Sequence, residues 1–257
     1  MPIATALRST FPAPPLSLLA VEPLRALFDG FACHVREPLP VGDGHPVIVY
    51  PGLGAGALTT SSLRTFLKDC GFTALDWEGG INTGPVGRLH DWLVPLAQRL
   101  LQVHQAHGRQ VSLVGWSLGG LYARELAKAC PRAVRQVVTL ATPSQSLGSG
   151  NHASGLFRLL HPDGTHLTPQ LQARLAQRPP VPTTSIYSRS DGIVSWRGCV
   201  EQRSANSESI EVSASHLGMV SHPHVQRILA LRLAQPEGRW RPLGRAERLR
   251  ATAAGRR

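Results

Sequence analysis

Along this chain, short unbroken apolar runs alternate with longer stretches in which apolar residues recur every three to four positions. Pro46-Val47-Ile48-Val49-Tyr50 is a β-branched run without a charge that stops at Pro51-Gly52, the pattern of a strand buried on both faces. Residues 62–69 predict a helix ending near Gly71, which leads into a strand over 72–77. Between 88 and 107 the apolar positions are Leu89, Trp92, Leu93, Leu96, Leu100 and Val103, close to helical spacing, and Gly108 supplies a stop. A strand over 111–114, a helix over 118–129 closed by Pro131, and a strand over 134–141 continue the rhythm. Strand and helix in alternation predict an α/β domain, with a mostly parallel central sheet flanked by helices.

The rhythm breaks between residues 143 and 182, a stretch rich in Ser, Gly, His and Pro with one small helical piece over 169–177. An insertion there reads as a small cap over whatever site the sheet carries. Its Leu156, Phe157, Leu159 and Leu160 could line an apolar pocket or pack the cap onto the body. Strands over 183–188 and 209–213 follow, then a last helix over 224–234. The chain therefore divides into an N-terminal extension packed on the body (1–45), the α/β domain (46–235) and a basic tail (236–257).

Composition changes this picture little. The formal charge of +11 resembles a nucleic-acid signal, but residues 236–257 hold seven arginines and two glutamates, a net +5, and the rest is scattered. The expectation is a flexible, solvated tail able to make at most weak contact with an anionic surface, and no stable nucleic-acid partner. Residues 11–28 are apolar but carry four prolines, Glu22 and Arg25, which is not the pattern of a signal peptide. No apolar run approaches the roughly 20 residues that span a bilayer. Cys33, Cys70, Cys130 and Cys199 are widely spaced, without a CxxC pair or a metal-ligand spacing. Free thiols, no metal and a cytoplasmic location are the simplest reading.

The chemistry starts at Gly115-Trp116-Ser117-Leu118-Gly119. A hydroxyl becomes a useful nucleophile only beside a base. Gly-x-Ser-x-Gly places such a serine on a strained strand-to-helix turn, where Gly115 and Gly119 relieve crowding. The pattern alone is a weak signal, but here a buried-strand run precedes it and a helix with small residues at Gly119, Gly120 and Ala123 follows it. A base and an acid should then come later, each on a loop after a strand. His216 follows the strand over 209–213, whereas His222 and His224 lie nearer the start of the last helix and could be surface histidines there. Asp191, after the strand over 183–188, is the sole carboxylate between Asp163 and Glu201. It suits both a turn-capping aspartate before Gly192 and a carboxylate that orients a histidine. Acyl transfer also needs oxyanion donors. The backbone N–H of Leu118 is one, and Leu53, in the glycine-rich loop Pro51-Gly52-Leu53-Gly54-Ala55-Gly56, is the choice for the second. That loop is no phosphate cradle, because it lacks a lysine and the spacing of a nucleotide fingerprint.

Four segments now agree in kind and order, and from about residue 46 to 234 the chain resembles the α/β-hydrolase superfamily, with bacterial esterases and lipases as the nearest pattern. The resemblance implies an eight-stranded, mostly parallel sheet and cofactor-free cleavage of a small-molecule ester with an apolar acyl group through an acyl-serine. Lipases usually carry His-Gly at the oxyanion loop and often a histidine before the nucleophile; this chain has Pro51-Gly52 and Trp116 there. Neither departure removes a catalytic group, but both weaken a case for long-chain triacylglycerol. An acyltransferase or thioesterase acting on an acyl carrier, and a non-catalytic binding protein of the same fold, are the alternatives.

Overall fold

The computed structural model describes residues 11–29, 38–146, 152, 168–244 and 247–248. Six strands form one sheet: β1 (Pro46–Tyr50), β2 (Thr73–Asp76), β3 (Val111–Trp116), β4 (Val134–Leu140), β5 (Thr183–Ser188) and β6 (Ser207–Val212). Their order is β2-β1-β3-β4-β5-β6, and every neighbouring pair runs parallel. The resemblance implied eight strands; the described residues supply six. The helices are α1 (Leu16–Asp29), α2 (Ser61–Asp69), α3 (Leu89–His107), α4 (Leu118–Ala129), α5 (Pro169–Ala176), the single turn α6 (Trp196–Cys199) and α7 (Pro223–Leu233).

Side chains on a strand alternate between faces, and here each face has its own core. Val47, Val49, Val114 and Val138 pack with Leu63 and Leu67 of α2 and with Ile228 and Leu229 of α7. Ile48, Tyr50, Leu113 and Val137 pack instead with Leu96 and Leu100 of α3 and with Tyr122 and Leu126 of α4. Both faces being covered explains why β1 reads as a continuous apolar run and β3 nearly so. α3 ends where the spacing predicts, at Gly108, whose φ of 60° is the left-handed conformation that lets its N–H cap the Gln105 carbonyl.

α1 was not legible as a helix. It contains Pro23, and its single buried residue is the acidic Glu22, while Leu16, Leu24, Leu27 and Phe28 are exposed. Part of the stretch expected as a tail packs against the body. Leu243 is buried and its N–H donates to Glu208 Oε2 at 3.0 Å, Arg248 pairs with the same carboxylate at 2.7 Å, and the Arg232 guanidinium lies 4.8 Å from the Trp240 ring centroid. Glu208 and Arg232 are both buried, and a buried carboxylate recruits whatever donors the chain can bring. Cys70, Cys130 and Cys199 are free thiols; Cys33, most of the expected cap with Leu156, Phe157, Leu159 and Leu160, and residues 249–257 lie outside the described residues. Among the described residues no helix is long and apolar enough to cross a membrane, and no cluster of His, Cys, Asp and Glu could hold a metal ion.

Candidate active site

The strand order fixes where a site can form. From β1 the chain moves outward to β2 and then returns past β1 to β3, so the loops leaving β1 and β3 turn to opposite sides and open a crevice between them. In open parallel sheets ligands bind at the carboxyl ends of the strands at such a switch point. The loop after β1 holds Leu53, the turn after β3 holds Ser117, and the loops after β5 and β6 hold Asp191 and His216.

Ser117 stands between the last residue of β3 and the first of α4 at φ 53°, ψ −119°. A serine in that region is strained by roughly 1–3 kcal/mol and persists only where surrounding contacts over-determine it. Three do so. Ser117 N–H donates to Leu140 O at 2.8 Å, its carbonyl accepts from Gly120 N–H at 3.0 Å, and Thr142 Oγ1 donates to the same carbonyl at 3.0 Å. The flanking glycines are required by contact. A Cβ on Gly115 would lie 2.4 Å from Gly120 Cα, and one on Gly119 would lie 2.4 Å from Tyr50 O and 2.5 Å from Pro51 O.

The structure brings the three distant residues together. His216 Nε2 lies 3.1 Å from Ser117 Oγ, and His216 Nδ1 lies 2.7 Å from Asp191 Oδ2. All three side chains are buried. Asp191 is itself fixed, because its other oxygen, Oδ1, accepts from the N–H groups of Ile193 and Val194, each at 2.8 Å. With Nδ1–H donated to Asp191, Nε2 presents its lone pair to the serine hydroxyl. Burial pushes the His216 imidazole towards the neutral form. The charge of Asp191, its hydrogen bond and the charge of Glu22 outweigh that, leaving the pKa above the ordinary 6.5.

Leu118 opens α4 directly after the serine, and the Leu53 loop abuts the same turn: a Cβ on Gly52 would lie 3.3 Å from Ser117 Cβ and 3.2 Å from the Trp116 ring. Asn82, which the sequence did not single out, organises that loop. Its amide donates to Pro51 O at 2.7 Å, its carbonyl accepts from Gly54 N–H at 2.7 Å, and its side-chain oxygen accepts from Gly84 N–H and Tyr122 O–H. Trp116, one of the two departures from the lipase pattern, has a local job. Its indole N–H donates to His216 O at 3.0 Å and so ties the histidine loop to the serine turn.

His222 and His224 are not surface residues of equal standing. His222 is buried and caps α7 by accepting the His224 N–H at 3.2 Å, and neither ring joins the Ser117 constellation. Sequence reasoning also missed the acids of α1. Glu22 Oε1 accepts from Gly192 N–H at 2.6 Å and His216 N–H at 3.2 Å, and Asp29 Oδ2 accepts from Ser215 N–H at 2.7 Å. No local signal could have found them, since their partners lie 170 to 195 positions away.

A second serine–histidine–aspartate line occurs at the amino ends of β1 and β3. His45 Nδ1 lies 2.5 Å from Asp43 Oδ1, and His45 Nε2 lies 2.8 Å from Ser112 Oγ. Here His45 and Ser112 have no exposed surface at all, and Ser112 sits within regular β3 rather than on a strained turn. Burial holds the imidazole down at about 4, against the opposing pull of Asp43. This line is a structural tie between β1 and β3, and it shows that triad distances without access do not make a site.

No family profile matches the chain. Over 103 residues it is 28% identical to a pimeloyl-[acyl-carrier protein] methyl ester esterase of Shewanella woodyi, a match spanning 40% of this chain and only 38% of that protein. Among solved structures, the mature lipase BlEst2 of Bacillus licheniformis is similar at a TM-score of 0.52 and 16% identity, covering 80% of this chain and 97% of that one. Lipase B of Aspergillus fumigatus is similar at 0.55 and 18% identity, covering 79% and 56%. The monoacylglycerol lipase of Paleococcus ferrophilus is similar at 0.53 and 16% identity, covering 75% and 96%. These likenesses, the parallel sheet with its order, and the serine turn after β3 agree: the chain has the α/β-hydrolase fold.

Proposed function

We propose that this chain is a serine hydrolase that cleaves carboxylic esters through an acyl-serine intermediate. The observation that carries the reading is the continuous hydrogen-bonded line from Ser117 Oγ through His216 to Asp191, built on a strained turn at the crevice of the sheet. In this reading Ser117 Oγ attacks the ester carbonyl while His216 Nε2 accepts its proton. Asp191 keeps the imidazole in the required tautomer and stabilises the imidazolium that forms. The backbone N–H groups of Leu53 and Leu118 hold the oxyanion. His216 then protonates the departing alcohol, and water repeats the sequence on the acyl-enzyme. The chemistry uses no cofactor.

The test is turnover of p-nitrophenyl esters of increasing acyl length, with Ser117→Ala as control and a fluorophosphonate probe as an independent readout. Hydrolysis and labelling are expected in the parent chain, and both disappear in Ser117→Ala. Labelling of the parent that persists unchanged in Ser117→Ala would overturn the reading.

A second reading narrows the substrate to an ester whose acyl group rides on an acidic carrier. It rests on the likeness to an esterase of acyl-carrier-protein methyl esters and on the net charge of +11, which attracts a polyanionic partner. Under it, kcat/KM for a carrier-bound methyl ester exceeds that for the free methyl ester and falls with added salt. Equal values for the two leave the simple ester.

A further inference from the structure

α1 reverses the ordinary arrangement of a surface helix. Packing normally buries an apolar stripe and leaves charges in water, yet here the one residue taken fully inside is Glu22, at 1% exposure. An isolated carboxylate is not buried without compensation, so its partners say what it is for. None comes from its own helix backbone. Oε1 accepts from Gly192 N–H at 2.6 Å and from His216 N–H at 3.2 Å, and Oε2 accepts from Leu217 N–H at 3.3 Å. Gly192 immediately follows Asp191, and Leu217 immediately follows His216. One carboxylate therefore bridges the two loops that carry the acid and the base.

The surroundings of Glu22 match this role. Arg25, one turn along, lies 3.8 Å from Oε1 and donates to both the carbonyl and the hydroxyl of Ser190, on the other side of Asp191. Asp29 accepts from the backbone and hydroxyl of Ser215, just before His216. Both loops also carry glycine where α1 comes closest. A Cβ on Gly192 would lie 2.5 Å from Leu18 O and 2.8 Å from Glu22 Cγ, and one on Gly218 would lie 2.2 Å from Asp29 Oδ2.

We propose that Glu22 is a positioning residue for hydrolysis at Ser117, its carboxylate locking the Asp191 loop and the His216 loop in mutual register. The inference rests on the proposed serine chemistry. Glu22 touches no reacting atom and acts through the backbone of the two loops. In Glu22→Gln the charge is lost and one acceptor oxygen becomes an amide donor, which leaves at least one of the three backbone N–H groups facing another donor with almost no change of volume.

The experiment compares the parent chain with Glu22→Gln and Gly192→Ala, each normalised to its fluorophosphonate-titratable Ser117. Both variants are expected to lose about tenfold to a hundredfold in kcat, with KM within about threefold, the scale on which misplaced catalytic groups act. The charged groups facing His216 are Asp191 and Glu22, with Arg25 beside the latter. Removing the Glu22 charge therefore also moves the acid limb of the kcat/KM profile to lower pH in Glu22→Gln, which a purely structural role would not do. If Glu22→Gln does not fold, Gly192→Ala alone decides the kcat question, since it levers α1 away while all three reacting side chains remain. Parent-like kcat per titrated site in the folded variants overturns the proposal. A parent chain that neither turns over esters nor labels at Ser117 overturns the underlying reading instead.

Discussion

Replacing Gly119 by alanine adds one methyl group and removes none of the proposed reacting groups, yet it is expected to disable the site. The added carbon would sit 2.4 Å from Tyr50 O and 2.5 Å from Pro51 O. Carbon and oxygen rest at about 3.3 Å or more, so the loop after β1 must retreat by nearly an ångström or α4 must shift by as much. Neither yields cheaply. Pro51 O is held by Asn82 and Tyr50 belongs to fully buried β1, while α4 carries the serine at its first turn. Overpacking of this kind costs about 1–3 kcal/mol, a fall in Tm of roughly 3–10 °C for a chain of this size. The same displacement separates the Leu53 N–H from the serine turn, and a misplacement near 1 Å can cost about a hundredfold in rate. Ester hydrolysis normalised to folded protein, alongside a thermal melt, measures both. A Gly119→Ala chain that melts like the parent and keeps kcat within about threefold would refute the claim that the two loops are in hard contact.

Asp191→Asn is expected to lower kcat by about 10³–10⁴, the scale seen when the histidine loses its tautomer control. It also moves the acid limb of the pH profile to lower pH, because Asp191 is what keeps the His216 pKa raised against burial; an unmoved limb would contradict that assignment. Asn82→Ala strips the support from Pro51 O and leaves the buried Tyr122 hydroxyl without its acceptor, a loss of about 1–3 kcal/mol that urea titration reads, together with reduced kcat. Ser112→Ala breaks the second serine–histidine–aspartate line and should leave kcat and probe labelling at parent levels. The His45 imidazole, held at about 4 against an ordinary 6.5, binds its proton more readily in the unfolded chain. Stability is therefore complete above about pH 6.5 and falls as the pH drops towards 4, by about 2 kcal/mol at pH 5 from this group. Urea midpoints at pH 7.5 and pH 5, with a shallower difference in His45→Gln, check the sign.

Much of this site could be read along the chain because its parts obey local rules. The Ser117 turn has to be strand, glycine, serine, glycine, helix, since only that composition clears the contacts found around Gly115 and Gly119. Asp191 and His216 follow buried strands in the expected order, and the strands were legible because covering both faces of a parallel sheet forces apolar runs. Boundaries differed by one or two residues, as where the strand expected over 209–213 runs from Ser207 to Val212. Two features were not legible in the sequence. The tail looked solvated because nothing near Leu243 and Arg248 announces the buried Glu208 that holds them. His222 looked like a surface residue because nothing in the residues around it reports its burial.

The sequence by itself thus determined the α/β class, the serine turn after β3 and the order of the residues that meet it, because backbone sterics and hydrophobic periodicity act between neighbours. Only the tertiary structure gave the distances at which His216 meets Ser117 and Asp191, and showed that a Ser112–His45–Asp43 line is sealed away. It alone brought Glu22 from α1 beneath both loops. A buried carboxylate is paid for by donors wherever the fold supplies them, and no periodicity along the chain records where those donors will be.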